Sequence, residues 1–349
     1  MSTHSVVTAL PTAQPSAAAF ESSTPSAAQN TLPPSAALPS APAVAKVKTD
    51  RLANIELLRV FSMLEIVRFH DHDDRLPWVG GLGLPSFLLL TATFNCTLTE
   101  RRGVAKFLRD KRERLFVPWL FWSAVYGSFL ALGALRHHQA IRDVLSWDMI
   151  LAGTSSHLWF VPFAMMSALF VGFTQYGTRN LPDRTVAYAM LGLASIALVG
   201  IASIDDTGLA APIPQWMLST PSALFGFAMG RLLIATRSKL TVRDVWPVVL
   251  CAAALLVLCS AVHYEFLVWR YAVSLCVMVV AFLVPGKPDM VSKFFSPLLF
   301  GIYLAHHFVA DHLVSKFVSR DFQGFFVVDF AVTACLVWLL KRTAFKRFL

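Results

Sequence analysis

Charge is scarce in this chain: Asp, Glu, Lys and Arg make up only 15% of its 349 residues, against a hydrophobic content of 56%. A soluble enzyme carries nearer a quarter of charged residues, so a protein of many membrane spans is the default reading. Cysteine is sparse too. The five, Cys96, Cys251, Cys259, Cys276 and Cys335, form an odd set in apolar stretches with no paired short spacing, which excludes a disulfide scaffold or a zinc module. No repeat of 20 to 50 residues is visible, so a solenoid is excluded. The N-terminus lacks the basic start and continuous apolar run of a secretory signal, and is expected to stay attached. Acids are the rarer charge, giving a formal net charge of +9. Whether that excess reads as nucleic-acid binding or as membrane orientation depends on where the basic residues fall.

What is present divides into a tail and a body. Residues 1–46 are dominated by Ala, Ser, Thr and Pro, with one acid, Glu21, and no hydrophobic period. Such a segment cannot bury enough apolar surface to offset its ordering entropy, and a disordered cytoplasmic tail is expected. Across 47–349 apolar stretches of spanning length recur, since about 20 helical residues cross about 30 Å of hydrocarbon. Ten are read, near 52–70, 78–99, 115–135, 157–176, 185–203, 215–235, 245–263, 266–284, 294–313 and 324–340. The expected fold is all-α, a polytopic membrane helix bundle with about ten transmembrane helices.

The first stretch carries Glu56, Arg59, Glu65, Arg68 and His70, which hydropathy penalises. If it spans, Lys46, Lys48, Arg51, the run from Arg101 to Arg114, and the basic groups around Arg179, Arg237, Lys287 and Lys341 share one side. The opposite loops, such as Asp71–Arg75 and Asp205–Asp206, are acidic or near neutral. The positive-inside rule therefore favours ten spans with both termini cytoplasmic, and the net charge then needs no nucleic-acid partner.

Ionisable groups inside a spanning helix are functional candidates. Arg59 and His70 lie eleven positions apart, about 20° past three full turns, so they share a helix face about 16 Å apart along the axis. Glu56 and Ser62 flank that face; Arg68 points the opposite way and is expected to snorkel or to pair with another helix. Imidazole is the side chain best suited to take a proton from a hydroxyl near neutral pH. The plainer reading is that Arg59 pairs with an acid such as Glu56, Asp311 or Asp329, and that His70 is interfacial. The His-Asp-His-Asp-Asp run at 70–74 looks like metal ligands but has unspecific ligand spacing, and no metal is expected.

The stretch Ile55–His70 resembles the opening of acyltransferase family 3, whose hallmark is Arg, ten intervening residues, then His; Arg59 and His70 match it. Further pieces follow in order over residues 52–340. Ser86–Phe94 stands at a Phe-rich helix end, with Thr91 and Ala92 in place of Ser-Gly. Arg109–Trp119 resembles the basic segment leading into Arg-Leu and Pro, with Lys111 at a position usually Arg. His157–Pro162 resembles the His-Leu-Trp-Phe motif, and Gly301–Phe308 the late Ile-Tyr, two residues, His motif, matched by His306.

The resemblance implies transfer of an acyl group, acetyl or succinyl, from acyl-coenzyme A to a sugar hydroxyl of an exopolysaccharide or other cell-surface glycan. It implies a bacterial inner membrane, O-acetylation chemistry, and as partners acyl-CoA, the glycan acceptor, the lipid bilayer and polysaccharide-biosynthesis proteins. His70 would be general base or transient acyl carrier, and Arg59 would hold the thioester arm or stabilise developing charge. Arg109, Lys111, Arg112 and Arg114, in a cytoplasmic loop 101–114, would bind the donor's phosphates; an ordinary positive-inside loop would look much the same. His157, Trp159, Tyr303 and His306 would serve the acceptor, although an aromatic belt also explains the first two. His307 and Asp311, one turn apart, can satisfy each other; Arg270 and Asp329 can form an interhelical pair. The rival class is a polysaccharide exporter or flippase, which would show paired broken helices in two halves.

Overall fold

The computed structural model describes residues 53–71, 81–146, 149, 153–206, 218–262, 265–284, 286, 287 and 290–349. The tail, His72–Arg75 of the acidic loop, and the side chains of Asp205 and Asp206 lie outside the described residues. What is described is all helix, 83% of it, without a strand among the described residues.

The main helices are α1 (Ala53–Asp71), α2 (Gly83–Arg102), α3 (Val104–Lys111), α4 (Val117–Arg136), α5 (Phe160–Gly177), α6 (Asp183–Asp206), α7 (Thr220–Ala235), α8 (Val242–Val262), α9 (Glu265–Leu283), α10 (Leu299–His312) and α11 (Phe325–Leu340). With α3 set aside, they fall on the ten apolar stretches. Four continuous helical stretches are long and apolar enough to cross a membrane: Val104–Arg136, Ser156–Gly177, Asp183–Ile204 and Val242–Cys259. Thr220–Ala235, Leu267–Leu283 and Phe325–Leu340 are apolar but shorter. The outward faces are apolar: Phe173, Ile196 and Val257 are 71%, 72% and 68% exposed. Side chains of that kind gain nothing in water and are the normal covering of a helix that faces lipid.

The segment 101–114, expected as a loop, is helical. Gly103, at a φ of 76°, breaks α2 from α3, and Val104, Phe107 and Leu108 recur at three- and four-residue spacing, giving α3 an apolar stripe that buries Phe107. A π-helical turn, Arg112–Phe116, joins α3 to α4. The strongly apolar part begins only after it.

Two apolar cores meet along α1 and α2. One is built from α2 and α6–α9, with Phe225, Met229, Leu275 and Met278 fully buried; the other from α1, α2, α4, α5, α10 and α11, around Met63, Val67, Leu299 and Ile302. α1, rich in charge, packs against α2, α9, α10 and α11. Its charges pair along the helix: Arg59 with Glu56 at 2.9 Å and Arg68 with Glu65 at 3.3 Å. Arg68 thus finds its partner one turn back on its own helix, not on another. Thr91 and Thr93 return their hydroxyls to the carbonyls of Phe87 and Leu89 at 2.7 and 2.8 Å, so both hydroxyls are met within α2.

α2 and α7 approach most closely. A Cβ on Gly226 would stand 2.5 Å from the Cβ of Ala92, and one on Gly230 would stand 2.4 Å from that of Cys96. Small residues four apart on each helix let the backbones touch. The small partners of Ala92 and Cys96 are on the facing helix, so close approach survives the replacement of Ser-Gly by Thr91-Ala92.

Candidate active site

At one end of α1, four imidazoles converge. His70 ends α1; His157 sits in the 3₁₀ turn Ser156–Trp159 that opens α5; His306 and His307 lie on α10. The His70 ring centre is 6.0 Å from that of His157, 5.4 Å from His306 and 5.7 Å from His307. His157 stands 5.0 and 5.2 Å from His306 and His307. Of this group only His307 was assigned no role by motif matching; its Nδ1 faces Asp311 Oδ2 at 3.3 Å, as their spacing suggested. Arg320 holds the other Asp311 oxygen.

The cluster is fixed by its backbone partners. Tyr303 donates its hydroxyl to the His157 carbonyl. Tyr126, which motif matching missed, donates to the Leu304 carbonyl and accepts the Phe308 N–H, both at 3.0 Å. Tyr126 also sets its ring edge against His157, with centres 5.2 Å apart. An inward Tyr three turns below the start of α4, facing the Ile-Tyr motif of α10, was visible only once the helices were paired. His306 is fully buried. Beside His307, the carboxyls of Asp71 and Asp329 face each other, and Thr333 donates to Asp329 Oδ1 at 3.2 Å. Asp329 therefore meets Asp71 and Thr333 and does not pair with Arg270.

A cavity of about 410 Å³ opens against this cluster. His70, His157, Trp159 and Tyr303 line it, with Glu65, Phe69, Phe160, Ser156, Ser219 and Arg270. Its size is that of a small-ligand site, and its mixture of ring faces with a few polar groups suits a hydroxyl-bearing ring.

Arg59 is not in that cavity. It stands toward the other end of α1, where Arg114, Arg59 and Arg102 surround Lys111. Lys111 belongs to the basic stretch ahead of the apolar part of α4. Burial first, and then those three guanidinium groups, pull its ammonium down to about 8. Asp110, 2.5 Å from Arg102, is the acid that partly offsets them. The structure thus groups Lys111 and Arg114 with Arg59 and with Arg102, which was not among the expected donor ligands. Arg109 and Arg112 are exposed and lie apart; Arg112 faces Glu113 at 3.9 Å. On an amphipathic α3, positions 109 and 111 point nearly opposite ways, and only the second faces α1.

No curated protein and no solved structure matches the chain. The sequence profile of acyltransferase family 3, described as an acyltransferase domain, matches residues 52–342, nearly all of the described chain. With that coverage the chain belongs to acyltransferase family 3 and is an acyltransferase whose cargo is not an aminoacyl group.

Proposed function

We propose that the protein is a multi-pass enzyme of a bacterial inner membrane, with ten spans and both termini cytoplasmic. It moves an acyl group, acetyl or succinyl, from acyl-coenzyme A to a sugar hydroxyl of an exopolysaccharide or other cell-surface glycan. The observation that carries this reading is the separation of two kinds of site along one helix. A cluster of basic groups, Arg59 with Lys111, Arg114 and Arg102, stands toward one end of α1, and a cavity walled by His70 and His157 lies at the other.

Each end suits one substrate. Guanidinium and ammonium groups bind phosphates, so the basic end takes the nucleotide part of the donor from the side where basic residues accumulate. The thioester arm then runs along α1, covering the roughly 16 Å between Arg59 and His70. In the cavity His70 takes the proton of the acceptor hydroxyl as its oxygen attacks the thioester carbonyl carbon. The C–S bond breaks, and the imidazolium returns its proton to the departing sulfur, leaving an O-acyl sugar and free coenzyme A. Trp159 and Phe69 offer ring faces to the sugar, and Arg270 and Ser156 offer hydrogen bonds.

Replacing His70 with Ala, at unchanged protein level in the membrane, is expected to lower acyl incorporation into surface glycan roughly 10²- to 10⁴-fold. Mass spectrometry of the glycan reads this directly and names the acyl group. Wild-type incorporation by His70→Ala would overturn the reading, as would loss of the glycan itself from the surface, which is what a transporter predicts.

A further inference from the structure

A histidine that serves as a base needs one bare ring nitrogen toward the substrate and a hydrogen on the other. That hydrogen requires an acceptor, which in most enzymes is a carboxylate or a carbonyl that also fixes the ring's orientation. Around His70 three imidazoles stand within 6.0 Å, centre to centre, and each can accept through a bare nitrogen.

Their own bonds separate them. His306 Nδ1 lies 2.8 Å from the Tyr303 carbonyl and 3.3 Å from that of Ile302. Carbonyl oxygens only accept, so this nitrogen carries the hydrogen and Nε2 is a lone pair. That lone pair is buried and meets no donor among the described residues. An unmet acceptor in a fully buried position is costly, and each such case calls for an explanation. His157 Nε2 is likewise buried with no partner at hydrogen-bond distance among the described residues, but Ser155 Oγ is 2.9 Å from its Nδ1 and the Leu304 carbonyl stands by as an acceptor for the ring. With an acceptor carbonyl beside it, His157 is supplied as a donor. His307 directs Nδ1 to the Asp311 carboxylate and is partly exposed, so water can meet its other nitrogen.

We propose that His306 is a positioning residue for His70, its Nε2 lone pair accepting the N–H of His70 through one bridging water, so that the other His70 nitrogen is held bare toward the cavity. This rests on the reading of His70 as the base. The two ring centres are 5.4 Å apart and no described donor reaches His306 Nε2, so the link runs through a water held between the rings. His306 itself does not line the cavity. It is anchored from behind by the α10 backbone, which gives the acceptor a fixed direction. The bond is the neutral counterpart of a carboxylate orienting a histidine, and it requires no buried net charge.

The test is steady-state kinetics of the full-length protein in membranes or detergent, with acetyl-CoA and the glycan acceptor. His306→Leu removes the lone pair and is expected to lower kcat about 10- to 100-fold, the usual loss for an outer partner of a catalytic group, with both KM values unchanged. His306→Gln, whose amide oxygen reaches the place of Nε2, is expected to recover most of that loss. His307→Leu is the comparison and is expected to leave kcat within a few-fold of wild type. Wild-type kcat in His306→Leu, failure of Gln to rescue a properly folded protein, or an equal kcat loss in His307→Leu would each overturn the assignment. Folding is checked by elution profile and melting temperature. Activity retained by His70→Ala would instead overturn the parent reading, so the two failures are distinguishable.

Discussion

Lys111 shows what a single side chain adds to the basic site. Its neighbours are guanidinium groups, which stay charged at any ordinary pH, whereas its own ammonium is held down to about 8 by burial and by Arg114, Arg59 and Arg102. If this cluster takes the donor phosphates as proposed, donor binding carries a pH dependence whose sign is fixed. Below 8 the site has its full charge; above 8 Lys111 becomes neutral and the phosphates lose one cation. The KM for the acyl-CoA donor is therefore expected to rise about 3- to 10-fold between pH 7 and pH 9, as the charged fraction of Lys111 falls. Lys111→Arg should flatten that rise, because arginine does not titrate there; a rise that survives the substitution would place its origin elsewhere. Residues of this kind were only partly legible. The eleven-residue spacing of Arg59 and His70 is a helix-face statement and could be read directly. That Arg102 joins the site and Arg109 does not depends on the break at Gly103 and the π-turn after Lys111, which no apolar periodicity announces. His307 and Tyr126 were hidden for a related reason: they join the cluster by helix pairing, and pairing is not written in one helix.

Among the elements, α2 and α7 carry the tightest contact. Placing a methyl on Gly230 puts it 2.4 Å from the Cβ of Cys96, with the Thr93 carbonyl at 3.0 Å. The helices must separate, and Gly230→Ala is expected to cost about 1–3 kcal/mol, read as a lower melting temperature in detergent. The clash is chiefly with a side chain, which allows a sharper test. Exchanging the small residue across the contact, Gly230→Ala with Cys96→Gly, should restore much of the loss, since one Cβ remains where one stood before. The same methyl on Gly133, which meets nothing within 4 Å, should leave the melting temperature unchanged. If the exchange gave no recovery, the contact would not be the cause of the loss. All the main helices but α1 and α3 were legible as sustained apolar runs bounded by charge or by Gly and Pro, and α1 was legible from the positive-inside count. The Gly226 and Gly230 pair stood equally plain in the sequence, but its partner strip, Ala92 and Cys96, lies over 130 residues away and is recognisable only from the packing. α3 was misread as loop because its basic residues mask an apolar stripe only three residues deep.

For the whole molecule the open question of orientation turns on α1. Four ionised groups in a span, Glu56, Arg59, Glu65 and Arg68, would each cost a few kcal/mol if left alone in hydrocarbon. They are not left alone. The two ion pairs close on successive stretches of the same helix, and α2, α9, α10 and α11 pack against it, leaving Leu57, Phe61 and Phe69 as its apolar outward face. A helix too polar to insert by hydropathy can then sit at the centre of a bundle that inserts around it, which reconciles its sequence with the positive-inside count. This makes a prediction with a parity that no other arrangement shares. With Cys335 replaced by serine, single cysteines at Lys48, Asp73 and Gly103 are exposed to a membrane-impermeant thiol reagent in intact cells. If α1 and α2 both cross, Asp73→Cys should be labelled from outside, whereas Lys48→Cys and Gly103→Cys should be labelled only after permeabilisation. Labelling of positions 48 and 73 from one side would mean that α1 does not cross. Labelling of position 103 from outside would put the basic cluster on the wrong face for a cytoplasmic donor and would sink the path along α1 from Arg59 to His70.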